Sequence, residues 1–203
     1  MDKAELHERP RQGPWVLASH NRGKLAEFRS LLGDVELKLA SDFGLSPPAE
    51  PENTFVENAL IKARFVARAT GLPTLADDSG LMVDALGGAP GVHSAVYAGE
   101  HQPDAAHIDK LLRATAHVAD GERGCQFVCV LVLVQRHDDP LPLIAQGIWR
   151  GELLHERRGA GGFGYDPIFF DPQTGMCAAE MEHDVKARLS HRGRALAALR
   201  TML

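Results

Sequence analysis

The stretch Phe127-Val128-Cys129-Val130-Leu131-Val132-Leu133-Val134 gives the strongest strand signal in the chain. Its apolar residues follow one another without polar alternation, which is typical of a strand covered on both faces. Residues 143–149 are its predicted hairpin partner, joined to it across the polar turn at 137–142. A doubly covered strand of this kind fits an α/β protein.

Short apolar runs and helical stripes alternate on either side of this strand. The pattern predicts strands at 15–18 and 35–39, helices at about 24–32, 104–116 and 190–203, and a glycine-rich loop entering a strand over 159–170. Thr54 and Glu57 form the pattern of a capping box, which opens a long helix to about Thr70, and Gly71 ends it. This order of elements predicts an α/β protein with a mixed sheet. We expect residues 1–14 to be a flexible polar tail and residues 15–203 to be a single domain.

The bulk composition excludes several classes of protein. A net charge of −5 over 203 residues gives no basic field for nucleic acid, although local donors can still bind a small phosphorylated ligand. The three cysteines include no C-x-x-C spacing, which argues against structural zinc and favours a reducing compartment. No leading apolar segment and no run of about 20 apolar residues is present, so we expect a cytoplasmic protein without membrane contact.

The stretch Leu75-Ala76-Asp77-Asp78-Ser79-Gly80 is the most informative about function. An ionised carboxylate after an apolar run is unfavourable unless a cation, donors or a proton compensate for it. A hard divalent metal ion would do so. The alternative is a strand-to-helix turn in which Asp78 or Ser79 caps a helix.

Four further segments carry candidate ligand groups. A polar turn before a helix, the segment 19–24, has the layout of a phosphate cradle but is not a Walker A loop. Glu50 and Glu52 lie in a loop from which either could reach a metal. In 161–167, Phe163 or Tyr165 could stack on a base, and Asp166 could accept hydrogen bonds from its edge. Lys186 and the segment 190–193 offer donors for a phosphate or a base carbonyl. Each segment also has a structural interpretation: a capped helix start, a solvated acidic loop, a tight turn with core aromatics, and a helix capped by Ser190.

Taken together and in order, these motifs resemble the inosine/xanthosine triphosphate pyrophosphatase family. The resemblance rests on LASHNRGKLAEF, TFVENALIKA, LADDSGLMVDALGGAPGVHSAVYAGE, FVCVLVLV, GGFGYDPIFF and SHRGRAL. It implies an elongated mixed β-sheet with flanking helices, two lobes around a central nucleotide cleft, and a homodimer. It also implies Mg²⁺-dependent hydrolysis of ITP, dITP and XTP to the monophosphate and pyrophosphate.

The resemblance assigns roles to individual residues. Asp78 would be the catalytic base and a metal ligand, with Glu50 as the second ligand in preference to Glu52. Asp77 would be a supporting residue. Substrate contacts would come from Ser19, His20, Asn21, Arg22, Gly23, Lys24, Ser79, Phe163, Gly164, Tyr165, Asp166, Lys186, His191 and Arg192.

The chain departs from the family pattern at a few positions. The acidic stretch before the long helix is Ala49-Glu50-Pro51-Glu52-Asn53, and Val96 stands where the family has an arginine. These departures leave open a nucleotide-binding regulatory module without catalysis. A pyrophosphatase for other nucleotides is a further alternative.

Overall fold

The protein is described by a computed structural model that covers residues 13–32 and 35–203. The predicted tail lies outside the described residues, apart from Gly13 and Pro14. The strands are β1 Trp15–Leu17, β2 Leu37–Leu39, β3 Thr74–Val83, β4 Gly124–Val134, β5 Leu143–Leu153, β6 Phe169–Asp171 and β7 Met176–Cys177. The helices are α1 Arg22–Leu32, α2 Phe55–Thr70, α3 Asp104–Ala114, α4 His183–Leu189 and α5 His191–Arg200.

The seven strands form one sheet in the order β2-β1-β3-β4-β5-β6-β7. Strand β1 runs parallel to both β2 and β3, whereas β6 runs antiparallel to both β5 and β7. This confirms the predicted α/β fold with a mixed sheet, and it confirms β5 as the neighbour of β4.

The described chain forms two compact units, each of which is discontinuous in sequence. The first unit contains residues 13–32, 35–78, 130–146 and 195–203, and the second contains residues 79–129 and 147–194. The chain therefore passes from one unit to the other after residues 78, 129, 146 and 194. The assignment of residues 15–203 to a single domain stays a prediction.

The second unit has an aromatic core. The ring centroid of Phe169 lies 4.6 Å from that of Phe127 and 4.7 Å from that of Trp149, and all three side chains are buried. Every residue of β4 from Phe127 to Val134 is buried, as the unbroken apolar run predicts for a strand covered on both faces.

The first unit follows the rules for parallel α/β connections. Helix α1 connects β1 to β2, and α2 returns the chain past β1 to β3. Because such crossovers are right-handed, two connections that run in opposite directions place their helices on opposite faces of the sheet. The carboxyl end of β1, beside β3, is therefore the kind of switch point at which open α/β sheets bind ligands.

Helix α2 begins and ends where the sequence indicates. The Thr54 side chain accepts a hydrogen bond from the Glu57 amide at 3.3 Å, and Gly71 closes the helix with a φ of +69°. The capping box is thereby confirmed, and it fixes the direction in which the long helix leaves the acidic loop.

One expectation about the elements was wrong, and two short elements were not predicted. Strand β3 does not end at the acidic pair but continues through it to Val83, so neither Asp78 nor Ser79 caps a helix. Helix α4 and the two-residue strand β7 were not predicted, because both are too short to show a period. No helix in the described part of the chain combines the length and apolar character that a membrane span requires.

Candidate active site

The segment 19–24 connects β1 to α1, and Asn21 organises it. The Asn21 side-chain oxygen accepts hydrogen bonds from the Gly23 amide at 2.8 Å and the Lys24 amide at 3.1 Å, and the Asn21 amide donates to Ser19 Oγ at 3.1 Å. Asn21 thus satisfies two amides at the start of α1, which are groups that a phosphate cradle would offer to an anion. The ligand-binding capacity of this turn therefore rests mainly on its side chains.

Lys24 forms an ion pair with Asp77. Its Nζ lies 2.8 Å from Asp77 Oδ2 and 3.1 Å from Oδ1, so the ammonium contacts both carboxylate oxygens. Asp77 is only 2% exposed. Since Leu17 at the end of β1 pairs with Leu75, Asp77 lies two residues beyond that end, next to the turn that carries Lys24. The contact gives Asp77 the supporting role that the sequence left undefined: it holds Lys24.

Asp78 meets a different lysine, because successive residues of a strand face opposite sides of the sheet. Lys62, from α2, places its Nζ 2.9 Å from Asp78 Oδ1 and 2.8 Å from Glu50 Oε2. Asp78 Oδ2 is buried and has no hydrogen-bond partner. One oxygen of Asp78 is therefore held in place while the other is available to a new ligand.

The charges of this cluster depend on each other. Burial raises the pKa of Asp78 to about 6, although the Lys62 ammonium beside it acts in the opposite direction. Burial alone would lower the pKa of Lys62, but the carboxylates of Asp78, Asp77 and Glu50 outweigh burial, and the net pKa is raised. Lys62 therefore stays an ammonium at neutral pH, and Asp78 is mostly ionised.

Lys62 was not among the predicted site residues, although the sequence contains a signal for it. It lies three residues after Ala59 and four before Val66, both on the buried apolar stripe of α2, so it faces the interior. A lysine on such a stripe requires a buried acidic partner. Asp78 is that partner.

Asn58 is a second polar residue on this face of α2, and it fixes the acidic loop. Its side chain is buried, accepts a hydrogen bond from the Glu52 amide at 3.0 Å and donates to the Glu52 carbonyl at 3.1 Å. The backbone of the loop is thereby anchored at Glu52. Glu50 is the acid whose side chain contacts Lys62, beside Asp78.

Glu50, Lys62 and Asp77 line a pocket of about 270 Å³ in the first unit. Its polar lining consists of Ser19, His20, Asn21, Lys24, Ser46, Glu50, Lys62 and Asp77. His20 contacts the carbonyl of Leu45 through Nε2, which links the turn after β1 to the loop that follows β2. The predicted phosphate segment and the acidic cluster are therefore brought together.

The residues present suit Mg²⁺ when a polyphosphate supplies the other ligands. No group of three or more histidine, cysteine or acidic side chains able to hold a metal is found within residues 13–32 and 35–203. Mg²⁺, however, is commonly held by one or two carboxylates together with phosphate oxygens and water. Asp78, with its unpartnered buried Oδ2, and Glu50 provide such a pair.

The second unit contains the predicted base-binding residues around Phe163, which is 48% exposed. The Phe163 amide donates to Asp166 Oδ2 at 2.7 Å, and the same oxygen contacts Lys186 Nζ. Lys186 Nζ lies 4.9 Å from the centroid of the Phe163 ring, and Arg192 Cζ lies 5.6 Å from it. Asp166 is thus engaged in holding this loop, and Phe163 is the aromatic that is accessible.

Tyr165 does not offer its ring to a ligand. It is buried, and its hydroxyl donates to the Ser94 carbonyl at 2.9 Å, so burial raises its pKa above the ordinary range. His191 is also buried, and it stacks on Phe127 with ring centroids 4.8 Å apart. Gly164 lies in the exposed loop beside Phe163, and Ser79 is half-buried in β3. The choice between Phe163 and Tyr165 as a stacking residue therefore falls on Phe163.

Comparison with known proteins identifies the family. The model of the Ham1 family matches residues 15–202. Curated relatives named dITP/XTP pyrophosphatase include one from Pseudomonas aeruginosa, 54% identical over 93% of this chain and 95% of the relative, and one from Vibrio cholerae, 50% identical over 89% and 92%.

Solved structures agree with these relatives. A HAM1 protein from Coxiella burnetii is 48% identical with a TM-score of 0.88, and it covers 94% of this chain and 98% of that one. The Ham1 protein of Staphylococcus aureus is 36% identical with a TM-score of 0.85, and it covers 94% and 97%. With sequence and fold in agreement over nearly its whole length, the chain belongs to the Ham1 family.

Proposed function

We propose that this protein hydrolyses ITP, dITP and XTP to the nucleoside monophosphate and pyrophosphate with the aid of Mg²⁺. Its curated relatives, which carry the name dITP/XTP pyrophosphatase at about 50% identity, support the enzyme class: a hydrolase that acts on nucleoside triphosphates. The observation that carries the proposal is Asp78, whose Oδ1 is bound by Lys62 and whose Oδ2 is buried and open to a new partner.

Asp78 combines the features that a general base requires. Burial raises its pKa to about 6, which makes it a stronger base than an ordinary aspartate and yet keeps it largely ionised at pH 7. Lys62 fixes the carboxylate through Oδ1. In the proposed reaction, the Asp78 carboxylate accepts the proton of the water molecule that attacks the α-phosphorus.

Asp78 and Glu50 are the residues that would hold Mg²⁺. The bound ion would neutralise phosphate charge that otherwise repels the nucleophile. Lys62 lies between the two carboxylates and holds them in place. The two carboxylates together carry more negative charge than the Lys62 ammonium compensates. Mg²⁺ would therefore be favourable as a second cation beside them when phosphate oxygens supply its other ligands.

The segment 19–24 would bind the triphosphate. Lys24 is held by Asp77 from one side, so its ammonium is positioned before the substrate arrives. Ser19 and His20 line the same pocket. After bond cleavage, these donors stabilise the charge on the departing pyrophosphate.

The second unit would select the base. Phe163 offers an exposed ring for stacking, and the cations Lys186 and Arg192 lie against that ring. Hypoxanthine and xanthine carry a carbonyl oxygen where adenine carries an amino group. Donors from Arg192 or His191 would therefore favour the deaminated bases over adenine, because adenine leaves such donors without an acceptor.

Assembly and location complete the proposal. Within the described residues the three cysteines are buried and form no disulfide with one another, which fits the reducing cytoplasm. We also propose the homodimer implied by the resemblance, and light scattering of the purified protein at micromolar concentration tests it.

A panel of nucleotides tests the function. The purified protein is incubated with ITP, dITP, XTP, ATP, GTP and dTTP, with Mg²⁺ or with EDTA, and pyrophosphate is measured. We expect pyrophosphate from the three deaminated nucleotides at least tenfold faster than from the others, and only with Mg²⁺. Equal turnover of ATP or GTP contradicts the specificity. Tight binding of ITP without pyrophosphate identifies a non-catalytic module, and preferred turnover of another nucleotide identifies a different pyrophosphatase.

A further inference from the structure

The loop that carries Phe163 is held by two carboxylates at consecutive backbone amides. The Phe163 amide donates to Asp166 Oδ2 at 2.7 Å, and the Gly164 amide donates to Asp104 Oδ2 at 2.6 Å. Asp166 is a local partner, three residues further along the chain. Asp104 is the first residue of α3, sixty positions before Gly164.

Helix α3 holds the same loop at a second point. The Arg157 guanidinium donates to Asp109 Oδ1 at 2.7 Å and to the Ala105 carbonyl at 3.0 Å through the same Nη2. Asp109 and Ala105 are both residues of α3. The helix therefore fixes the segment 157–164 near both of its ends.

The position of Asp104 in its helix makes this contact informative. An aspartate in the first turn of a helix ordinarily interacts with the amides of that helix. Here the residue before the helix is Pro103, and no side chain caps the helix, yet the Asp104 carboxylate contacts the loop. Asp104 therefore accepts a hydrogen bond from the Gly164 amide of the loop, although the amides at the start of α3 have no side-chain cap.

The loop requires such restraint because of its glycines. Gly162 and Gly164 have φ values of +74° and +58°, and a glycine-containing segment loses much conformational freedom when it is ordered. A loop ordered before the ligand arrives spares that loss at binding. Since the Asp104 and Arg157 contacts are exposed, they contribute little to global stability, and their effect falls on the loop.

We propose that Asp104 is a positioning residue of the base-binding loop, which it holds through the Gly164 amide, and that Arg157 assists it through Asp109. The inference rests on the proposed function, because it takes Phe163 as the surface on which the purine stacks. Asp104 itself does not contact the reacting atoms. Its removal should therefore weaken nucleotide binding and leave the chemistry and the phosphate site unchanged.

Steady-state kinetics of Asp104→Ala with ITP test the proposal. We expect KM to rise about five- to tenfold, the loss associated with one exposed hydrogen bond to a charged group, and kcat to stay within twofold. Inhibition by inorganic pyrophosphate, which has no base, should be unchanged. Asp104→Asn retains an acceptor oxygen and should restore most of the affinity. Asp138→Ala removes a surface carboxylate that contacts Arg136 in the turn between β4 and β5, and it serves as the matched control.

Hydrogen exchange of the free protein gives an independent measurement. Exchange at the Gly164 amide should become faster in Asp104→Ala and stay unchanged in Asp138→Ala. The proposal is overturned by an unchanged KM, by a fall in kcat alone, or by an equal loss of pyrophosphate inhibition. If Asp104→Ala does not fold, Arg157→Met is held to the same criteria.

The two proposals fail in different ways. If the wild-type protein releases no pyrophosphate from any nucleotide, the proposed function is wrong. The exchange measurement then still decides on Asp104, since unchanged exchange at Gly164 in Asp104→Ala contradicts its role in holding the loop.

Discussion

Lys62 Nζ lies 2.9 Å from Asp78 Oδ1, and this contact determines how the acidic pair of β3 is used. The preceding residue, Asp77, faces the other side of the sheet and is bound by Lys24. Two adjacent carboxylates thus have two different lysines, one from each of the helices that flank β1 and β3. The arrangement stabilises a polar pair inside a buried strand and leaves Oδ2 of Asp78 without a hydrogen-bond partner.

Removing the Lys62 ammonium should raise the pKa of Asp78 above its value of about 6, because the nearest positive charge is lost while burial remains. Asp78 is inactive as a base when protonated, so the acid limb of the pH–rate profile should move to higher pH. In Lys62→Met we expect activity at pH 7 to fall about tenfold or more, with partial recovery at pH 9. Carboxyl NMR of the metal-free protein measures the pKa directly.

Lys38→Met is the control for this change, since Lys38 forms an exposed pair with Glu36. Its profile should coincide with that of the wild type. A Lys62→Met profile whose acid limb stays in place would show that Lys62 does not set the protonation of Asp78.

Replacing Asp77 by Asn should affect both binding and stability. Lys24 loses its anionic partner, and because its side chain is a quarter exposed, it can turn towards solvent. We expect the free energy of unfolding to fall by about 1–3 kcal/mol, less than for a fully buried pair, and KM for ITP to rise several-fold. Denaturant unfolding and steady-state kinetics measure the two effects. An unchanged KM would show that Lys24 does not contribute to binding of the triphosphate.

Arg123 supports the start of the loop that carries Phe163. Its buried guanidinium donates to the carbonyls of Leu153 at 2.7 Å, Thr115 at 2.9 Å and Leu154 at 3.0 Å. In Arg123→Met these carbonyls lose their donor, and we expect a loss of about 3 kcal/mol or more in unfolding free energy. Arg113→Met, at an exposed position of α3, should change it by less than about 0.5 kcal/mol. Equal unfolding midpoints for the two variants would contradict this.

Gly162 lies against the Asp166 carboxylate, which leaves no room for a larger residue. Its φ is +74°, and an added Cβ would lie 2.2 Å from Asp166 Oδ2, the atom that accepts the Phe163 amide. Gly162→Ala should lower kcat/KM for ITP at least tenfold, chiefly through KM, because Phe163 is displaced. Gly121 has a φ of +85° and no atom within 4 Å of the added Cβ. Gly121→Ala carries the same backbone strain without the contact, and equal kinetics of the two variants would contradict the interpretation.

The sequence predicts best where one local pattern determines the outcome. Thr54 and Glu57 mark the start of α2, and the unbroken apolar run marks β4 as covered on both faces. The continuation of β3 through Asp77 and Asp78 was missed, because polar residues in a buried strand are stable only through lysines that are distant in sequence.

In the candidate site, too, local patterns are visible in the sequence and long-range contacts are not. The motif around Phe163 indicates a loop with aromatic residues, but only packing against Ser94 decides that Tyr165 is buried and Phe163 exposed. The contact of Asp104 with Gly164 spans sixty residues and leaves no pattern in the sequence. Local motifs thus locate the candidate site, and long-range contacts determine which of its side chains are buried, paired or exposed.

The central claim is that Asp78 performs the chemistry of pyrophosphate release. Single-turnover hydrolysis of ITP with Mg²⁺ by Asp78→Asn, whose fold is verified by circular dichroism, tests it most directly. We predict a rate constant at least a hundredfold below that of the wild type, with pyrophosphate as the product of both. A rate constant within threefold of the wild type in the folded variant would contradict the claim.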